Sequence, residues 1–138
     1  MTTPLEYSYK NVMIIDDNDI DRYIAKRIIS AHNFSAHILS YENGIEAFQY
    51  LKTNQENAAA LPEIIFVDIY MPEMSGFEFI ALYDGLSVAL KKHCAVYIIS
   101  STIDPEDLKR ANNDPNVIGF HVKPIDGNFL SAISRKMS

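Results

Sequence analysis

Five short runs rich in Val, Ile and aromatic residues punctuate this chain: VMII (residues 12–15), AHILSY (36–41), EIIFV (63–67), AVYII (95–99) and VIGFHV (117–122). Each ends at polar, Gly or Pro residues, the pattern of a buried strand. Between them apolar residues recur at helical spacing. Over 20–30, Ile20, Ile24 and Ile28 fall at intervals of four with charged residues opposite, a stripe that reads as the core face of a helix. Ala47, Phe48 and Leu51 form the stripe of a helix over 44–53. The pattern over 77–92 is longer and is interrupted at Asp84-Gly85. Asp104 as cap and Pro105 in the first helical position open a helix over 105–112, and a last one runs from Asp126 or Gly127 to residue 136. Residues 54–61 are a polar, alanine-rich connection, and residues 1–10 read as an N-terminal tail. Strand and helix alternating five times force parallel crossovers, with helices on both faces of one sheet. The expected architecture is α/β, a doubly wound (βα)5 three-layer sandwich around a five-stranded parallel sheet.

The 138 residues suffice for one domain with a sizeable core, and 48% of them are apolar. Eighteen acidic against twelve basic side chains, a net charge of −6, argue against a nucleic-acid or anionic-membrane surface, which clustered Lys and Arg would serve. The single cysteine, Cys94, excludes an intrachain disulfide framework and reads as a small buried hydrophobe. No apolar run has the length of a membrane span, and the start MTTPLEYSYK lacks a signal-peptide pattern, so the expected setting is the cytoplasm.

In a doubly wound sheet, ligands sit beyond the carboxyl ends of the strands. Those positions hold Asp16 and Asp17 after the first run, Asp68 after the third, Ser100, Ser101 and Thr102 after the fourth, and Lys123-Pro124 after the fifth. The second run supplies only Tyr41-Glu42. Three neighbouring carboxylates repel one another unless a cation relieves them. An all-oxygen set with few protein ligands suits Mg²⁺, and the scattered His32, His37, His93 and His121 make a zinc site a poor fit. Lys123 can meet a phosphoryl oxygen, Ser100 can donate to another, and an aspartate can form an acyl-phosphate. A plainer reading has Asp16 and Asp17 capping the helix near Asp19 while Lys123 pairs with Asp68.

Together IIDDN, FVDIYMPEMSG, IISST and FHVKP resemble the receiver domain of two-component response regulators, over essentially the whole chain from Asn11 onward. The resemblance implies the flavodoxin-like strand order 2-1-3-4-5, with residues 11–138 as the receiver domain and no output domain. It implies that Asp68 is the phosphoacceptor. Asp17, Asp68 and the backbone carbonyl of Tyr70 would bind Mg²⁺, with Asp16 acting through bound water. Lys123 would contact the phosphoryl group, and Ser100 would be the switch hydroxyl, one residue from the alternative Ser101. Phe120 would be the switch aromatic, and Pro124 would follow a cis peptide bond. A sensor histidine kinase or a histidine phosphotransfer protein would supply the phosphoryl group, and a downstream protein would read the altered surface. The helix over 20–30 is the expected kinase-docking face, although Ile24 and Ile28 read as core.

Such a protein is not an enzyme beyond its own phosphorylation and slow autodephosphorylation. Two positions depart from common family patterns: Tyr70, two residues after the acceptor, and Thr102, two after the switch hydroxyl. Neither orients water well, so a slow loss of phosphate is expected. Two other readings share the residues. A Mg²⁺-dependent aspartyl-phosphate phosphohydrolase of haloacid-dehalogenase type needs an acid where Tyr70 stands. A pseudo-receiver binding module would have lost one of the acidic pair, the acceptor or the lysine.

Overall fold

The computed structural model describes residues 6–137, and side chains as far as residue 134. Five strands, β1 (Tyr9–Ile15), β2 (Ser35–Tyr41), β3 (Ile64–Asp68), β4 (Ala95–Ser100) and β5 (Val117–Val122), form one sheet in the order β2-β1-β3-β4-β5. All neighbouring pairs are parallel. The connections are helical: α1 (Asp19–Ala31), α2 (Gly44–Thr53), α3 (Gly76–Asp84), α4 (Val88–His93), α5 (Pro105–Asn112) and the closing α6 (Gly127–Met137). A 3₁₀ turn at Ala58–Ala60 lies within the connection over 54–61. No helix among the described residues is long and apolar enough to cross a membrane.

Strand alternation divides the core in two. Val12, Ile14, Ile64, Phe66, Tyr97 and Ile99 face one way, against α1 and α6 through Ala25, Ile29, Leu130 and Ile133. Met13, Ile15, Ile65, Val67, Val96 and Ile98 face the other way, against Ala47, Leu51, Phe79, Tyr83 and Leu90. With both faces covered, the strands need no polar side, which is why their residues read as continuous apolar runs.

The start of β1, the extent of the tail and the rotation of α1 differ from expectation, whereas the break at Asp84-Gly85 is where it was expected. β1 begins at Tyr9, not Val12, because Tyr9 pairs with Ser35 and its ring meets Phe34 edge-on at 5.1 Å. Tyr9 and Lys10 therefore belong to the sheet; of the expected tail, residues 1–5 lie outside the described residues. The pattern over 77–92 is two helices. Gly85 closes α3, and the Ser87 side chain accepts from the Leu90 amide to start α4. The largest correction concerns α1. Its buried residues are Ala25 and Ile29, whereas Ile20 is 68% exposed, Ile24 36% exposed and Ile28 half-buried. Ala25 carries little hydrophobic signal, yet its small side chain lets the helix lie close on the sheet.

The sheet-facing side of α1 thus runs through partly exposed Asp21 to buried Ala25 and Ile29, successive fours offset by one residue from the isoleucine stripe. Replacing Ile29 by Ala should cost about 2–5 kcal/mol of unfolding free energy. Replacing Ile20 by Ala should change it by less than about 0.5 kcal/mol. Urea unfolding of the two variants checks the assignment, and comparable losses would put the isoleucine stripe back in the core.

Candidate functional site

Four strand ends meet in an acidic pocket. Asp16 follows β1 and is buried, Asp17 beside it is exposed, and Asp68 is the last residue of β3, 5% exposed. β1 and β3 are neighbours in register, Ile15 opposite Val67, so the two buried carboxylates sit side by side. One oxygen from each of Asp16, Asp17 and Asp68 lies within 4.8 Å of the others. Lys123, just past β5, places its Nζ 2.7 Å from Asp16 Oδ2 and 3.3 Å from Asp68 Oδ2. The expected gathering of Asp16, Asp17, Asp68 and Lys123 is therefore present.

Local devices hold each part in place. The cap of α1 is Asn18, not either acidic residue: its Oδ1 accepts from the Asp21 amide at 3.0 Å. Asp16 has a turn role as well, since its Oδ1 accepts from the Asn18 amide at 3.0 Å, while Arg22 donates to its carbonyl at 2.6 Å. Beyond Asp68 the chain folds back so tightly that the Gly76 amide donates to Ile69 O at 2.8 Å. A Cβ at Gly76 would lie 2.4 Å from the backbone oxygen of Asp68, so only glycine fits there. Ser75 and Glu78 then start α3 with a reciprocal capping box.

The remaining expected residues fall around this centre. Ser100 ends β4 and is fully buried, and its carbonyl accepts from the Lys123 amide at 2.8 Å; Ser101 is exposed. Of the two candidate serines, Ser100 is the buried one. Lys123-Pro124 is a cis peptide bond. Phe120 does not reach the pocket; half-buried in β5, it packs on the core face that holds α2, α3 and α4. The Tyr70 side chain is exposed, and its hydroxyl donates to Asp107 on α5. Thr102 is exposed, with its amide donating to Ser100 Oγ at 3.4 Å.

One contact was not anticipated. Asp21 Oδ2 lies 2.9 Å from Lys123 Nζ, a third carboxylate on the same ammonium. The signal for it was the face of α1: Asp21 is four residues before Ala25, so once Ala25 and Ile29 are the buried stripe, Asp21 overhangs the strand ends.

Burial pushes the Asp68 carboxyl up to about 6 from an ordinary 3.8. The charge of Lys123 opposes this, Asp16 adds to it, and hydrogen bonds from Lys123 and the Tyr70 backbone hold it back. For Lys123, burial acts to lower the pKa, but hydrogen bonds to Asp16 and Asp21 and the charges of Asp68 and Asp16 outweigh it and raise the ammonium above its usual range. A carboxylate partly deprived of solvent, two others beside it and an exposed flank at Asp17 form a hard all-oxygen donor set. That chemistry fits a divalent cation such as Mg²⁺, with no His or Cys in the group.

The sequence model of a family described as response regulator receiver domain matches residues 12–134. A two-component response regulator from Cytophaga hutchinsonii is 32% identical and superposes with a TM-score of 0.83, covering 92% of this chain and 95% of that one. A response regulator receiver protein from Dyadobacter fermentans DSM 18053, 23% identical, has the same fold, with a TM-score of 0.82 over 92% of this chain and 96% of that one. The two-component response regulator ORR1 of Oryza sativa subsp. indica is 27% identical over 126 residues, 90% of this chain and 53% of that protein. The chain spans about half the length of the first curated relatives it matches.

A carboxyl whose pKa is raised by folding binds its proton more tightly folded than unfolded. Between the unfolded value of 3.8 and about 6, stability therefore falls as pH rises. In metal-free buffer at pH 7.5, Asp68→Asn should be more stable than the parent by on the order of 2 kcal/mol. The gain should vanish below about pH 4, where both side chains are neutral. Urea unfolding at the two pH values measures this, and a destabilised Asp68→Asn at pH 7.5 contradicts it.

Proposed function

This chain belongs to the response regulator receiver domain family, and from that premise we propose that Asp68 accepts a phosphoryl group in a Mg²⁺-dependent reaction. The donor is the phosphohistidine of a sensor histidine kinase or of a histidine phosphotransfer protein. The observation that carries the reading is the Lys123 ammonium held against both buried carboxylates, Asp16 and Asp68, at the carboxyl edge of the sheet. Asp17, Asp68 and the Tyr70 backbone carbonyl would hold Mg²⁺, with Asp16 assisting. Bound there, the cation supplies compensation for the charge of the carboxylates and of the phosphoryl oxygens.

An oxygen of the Asp68 carboxylate attacks phosphorus, the P–N bond of the phosphohistidine breaks, and its electron pair leaves with the imidazole. Lys123 then exchanges its contact with Asp68 Oδ2 for a phosphoryl oxygen, a charge-assisted hydrogen bond in a pocket largely shielded from water. Ser100, buried at the end of the neighbouring strand, donates to a second phosphoryl oxygen. Its inward shift frees space that Phe120 enters, and the surface of α5 and β5 changes for a downstream protein. This is a population shift driven by contacts made only in the phosphorylated form. Loss of the phosphoryl group is slow, because neither Tyr70 nor Thr102 carries a carboxylate or amide that would orient water. The net charge of −6 supports protein partners over nucleic acid or an anionic membrane.

Incubation with acetyl phosphate and Mg²⁺, followed by intact mass measurement, should show a gain of one phosphoryl group that Asp68→Ala abolishes. Lys123→Met should slow the gain by about a hundredfold, the cost of losing one donor to the charge that develops on phosphorus. Turnover of phosphate esters without a mass gain would favour a hydrolase instead. Tyr70→Asn should shorten the lifetime of the phosphorylated form, measured by the same mass assay after the donor is removed; an unchanged lifetime removes Tyr70 from the account.

A further inference from the structure

An ammonium has three N–H donors, and Lys123 points them at three carboxylates: Asp16 at 2.7 Å, Asp21 at 2.9 Å and Asp68 at 3.3 Å. Two of these belong to the acidic trio whose surroundings change on phosphorylation. Asp68 becomes an ester, and Asp16 faces whatever compensates the trio. Asp21 stands apart. It comes from the first turn of α1, and nothing in the transfer alters it.

Its position is also fixed. The Asp21 amide is capped by Asn18, and Arg22 ties the same turn to the Asp16 carbonyl at the end of β1. Ala25 and Ile29, on the same face one and two turns on, are buried against the sheet, so α1 cannot rotate the carboxylate away. Around the contact is a cavity of about 20 Å³ lined in part by Ile24, Ala25, Pro124 and Ile125. That is room for about one water molecule, a space into which the ammonium can turn when its carboxylate partners change.

We propose that Asp21 is a positioning residue for phosphoryl transfer: its carboxylate anchors the Lys123 ammonium above Asp68 once Asp16 and Asp68 are engaged elsewhere. The proposal rests on Asp68 being the phosphoacceptor. Lysine is a point charge on a flexible four-carbon stem. Without a partner outside the reacting group, it would spend part of its time away from the phosphoryl oxygens. Asp21 supplies that partner from a helix rather than from a strand end.

Charge alone would act the other way. Asp21 is partly exposed, and a negative group near the pocket repels an incoming phosphate. Removing it for its charge would speed the transfer, whereas removing it as an anchor slows the transfer. Asparagine separates the two effects, because it keeps the accepting oxygen and drops the charge.

The test follows phosphorylation by acetyl phosphate at saturating Mg²⁺ for the whole chain. In parallel, the Lys123 ammonium is observed by ¹⁵N NMR in the presence of Mg²⁺ and beryllofluoride, with Lys123→Arg assigning the signal. Asp21→Ala should slow the transfer by about fivefold, the most that a partly exposed ion pair contributes, and should broaden the ammonium signal. Asp21→Asn should match or exceed the parent rate with the signal sharp. Asp21→Leu, which fills the space without an accepting atom, should behave like Asp21→Ala and replaces it if that variant does not fold. An unchanged or faster rate in the apolar variants overturns the proposal. So does a slower rate with a sharp ammonium signal, since the loss would then not pass through the lysine. A parent protein that gains no phosphoryl group overturns the underlying function, a different result from a phosphorylated parent with an indifferent Asp21.

Discussion

The ammonium of Lys123 joins three segments that the fold brings together: the end of β1 through Asp16, the end of β3 through Asp68 and the start of α1 through Asp21. The strand order makes this a demanding contact. β5 stands two places from β3, with β4 between them, so the side chain has to cross two strand spacings, roughly 9–10 Å. A lysine stem and a short aspartate together cover that distance. Such contacts are not made for stability. Well-packed apolar residues in place of a buried ion pair are often neutral or better, whereas removing one partner costs about 3–5 kcal/mol. In the proposed function, this surplus of carboxylates over one ammonium makes sense as a donor set for a divalent cation, whose charge then admits a phosphoryl group.

Signal transmission away from the pocket has an equally concrete basis. The loop that begins after Asp68 is bounded by Tyr70 on one side and Phe77 on the other, and α5 touches both. Asp107 accepts from the Tyr70 hydroxyl, and the Arg110 guanidinium lies 4.2 Å from the Phe77 ring centre. Asp107 and Arg110 are three residues apart and so share one face of the helix. α5 has eight residues and a single buried one, Ala111, so its position depends on these contacts more than on its own core. In the proposed cycle, a helix held this lightly is the element that a rearranged acceptor loop can move most easily.

Much of this could be read from residue order. The apolar runs located all five strands, because a sheet covered on both faces needs no polar alternation. Punctuation after four of the five runs drew attention to Asp16, Asp17, Asp68, Ser100 and Lys123, since a polar or charged group at the end of an apolar strand has few structural uses. What failed was the rotation of α1. Isoleucines at 20, 24 and 28 outweigh a single alanine in any hydrophobic pattern, yet the helix buries Ala25 and Ile29. Close approach favours the small residue, and that preference depends on the partner surface, which a one-dimensional pattern does not contain. The same error concealed Asp21, because a polar residue on a presumed outer face invites no question. The start of β1 was missed for a related reason: Tyr9 and Lys10 join the sheet through backbone pairing and the contact between Tyr9 and Phe34, neither of which leaves a periodic trace.

Function and stability pull against each other at Asp68. The other β3 residues, Ile64, Ile65, Phe66 and Val67, are fully buried, and an apolar side chain in fifth place would extend the same core. Instead the strand ends in a carboxyl that burial holds near 6, beside Asp16 and Asp17, with the one ammonium of Lys123 shared among Asp16, Asp21 and Asp68. Surplus negative charge destabilises the compact state, and anything that relieves it in the folded pocket but not in the unfolded chain stabilises the fold by mass action. A divalent cation does this by adding positive charge. In the proposed cycle, with the cation bound, one carboxylate oxygen becomes the bridging oxygen of an acyl-phosphate, and the negative charge moves out to phosphoryl oxygens that Lys123 and Ser100 would meet. On that proposal, the unfavourable burial that makes Asp68 a poor structural residue would be the source of the free-energy difference that a phosphorylation switch requires.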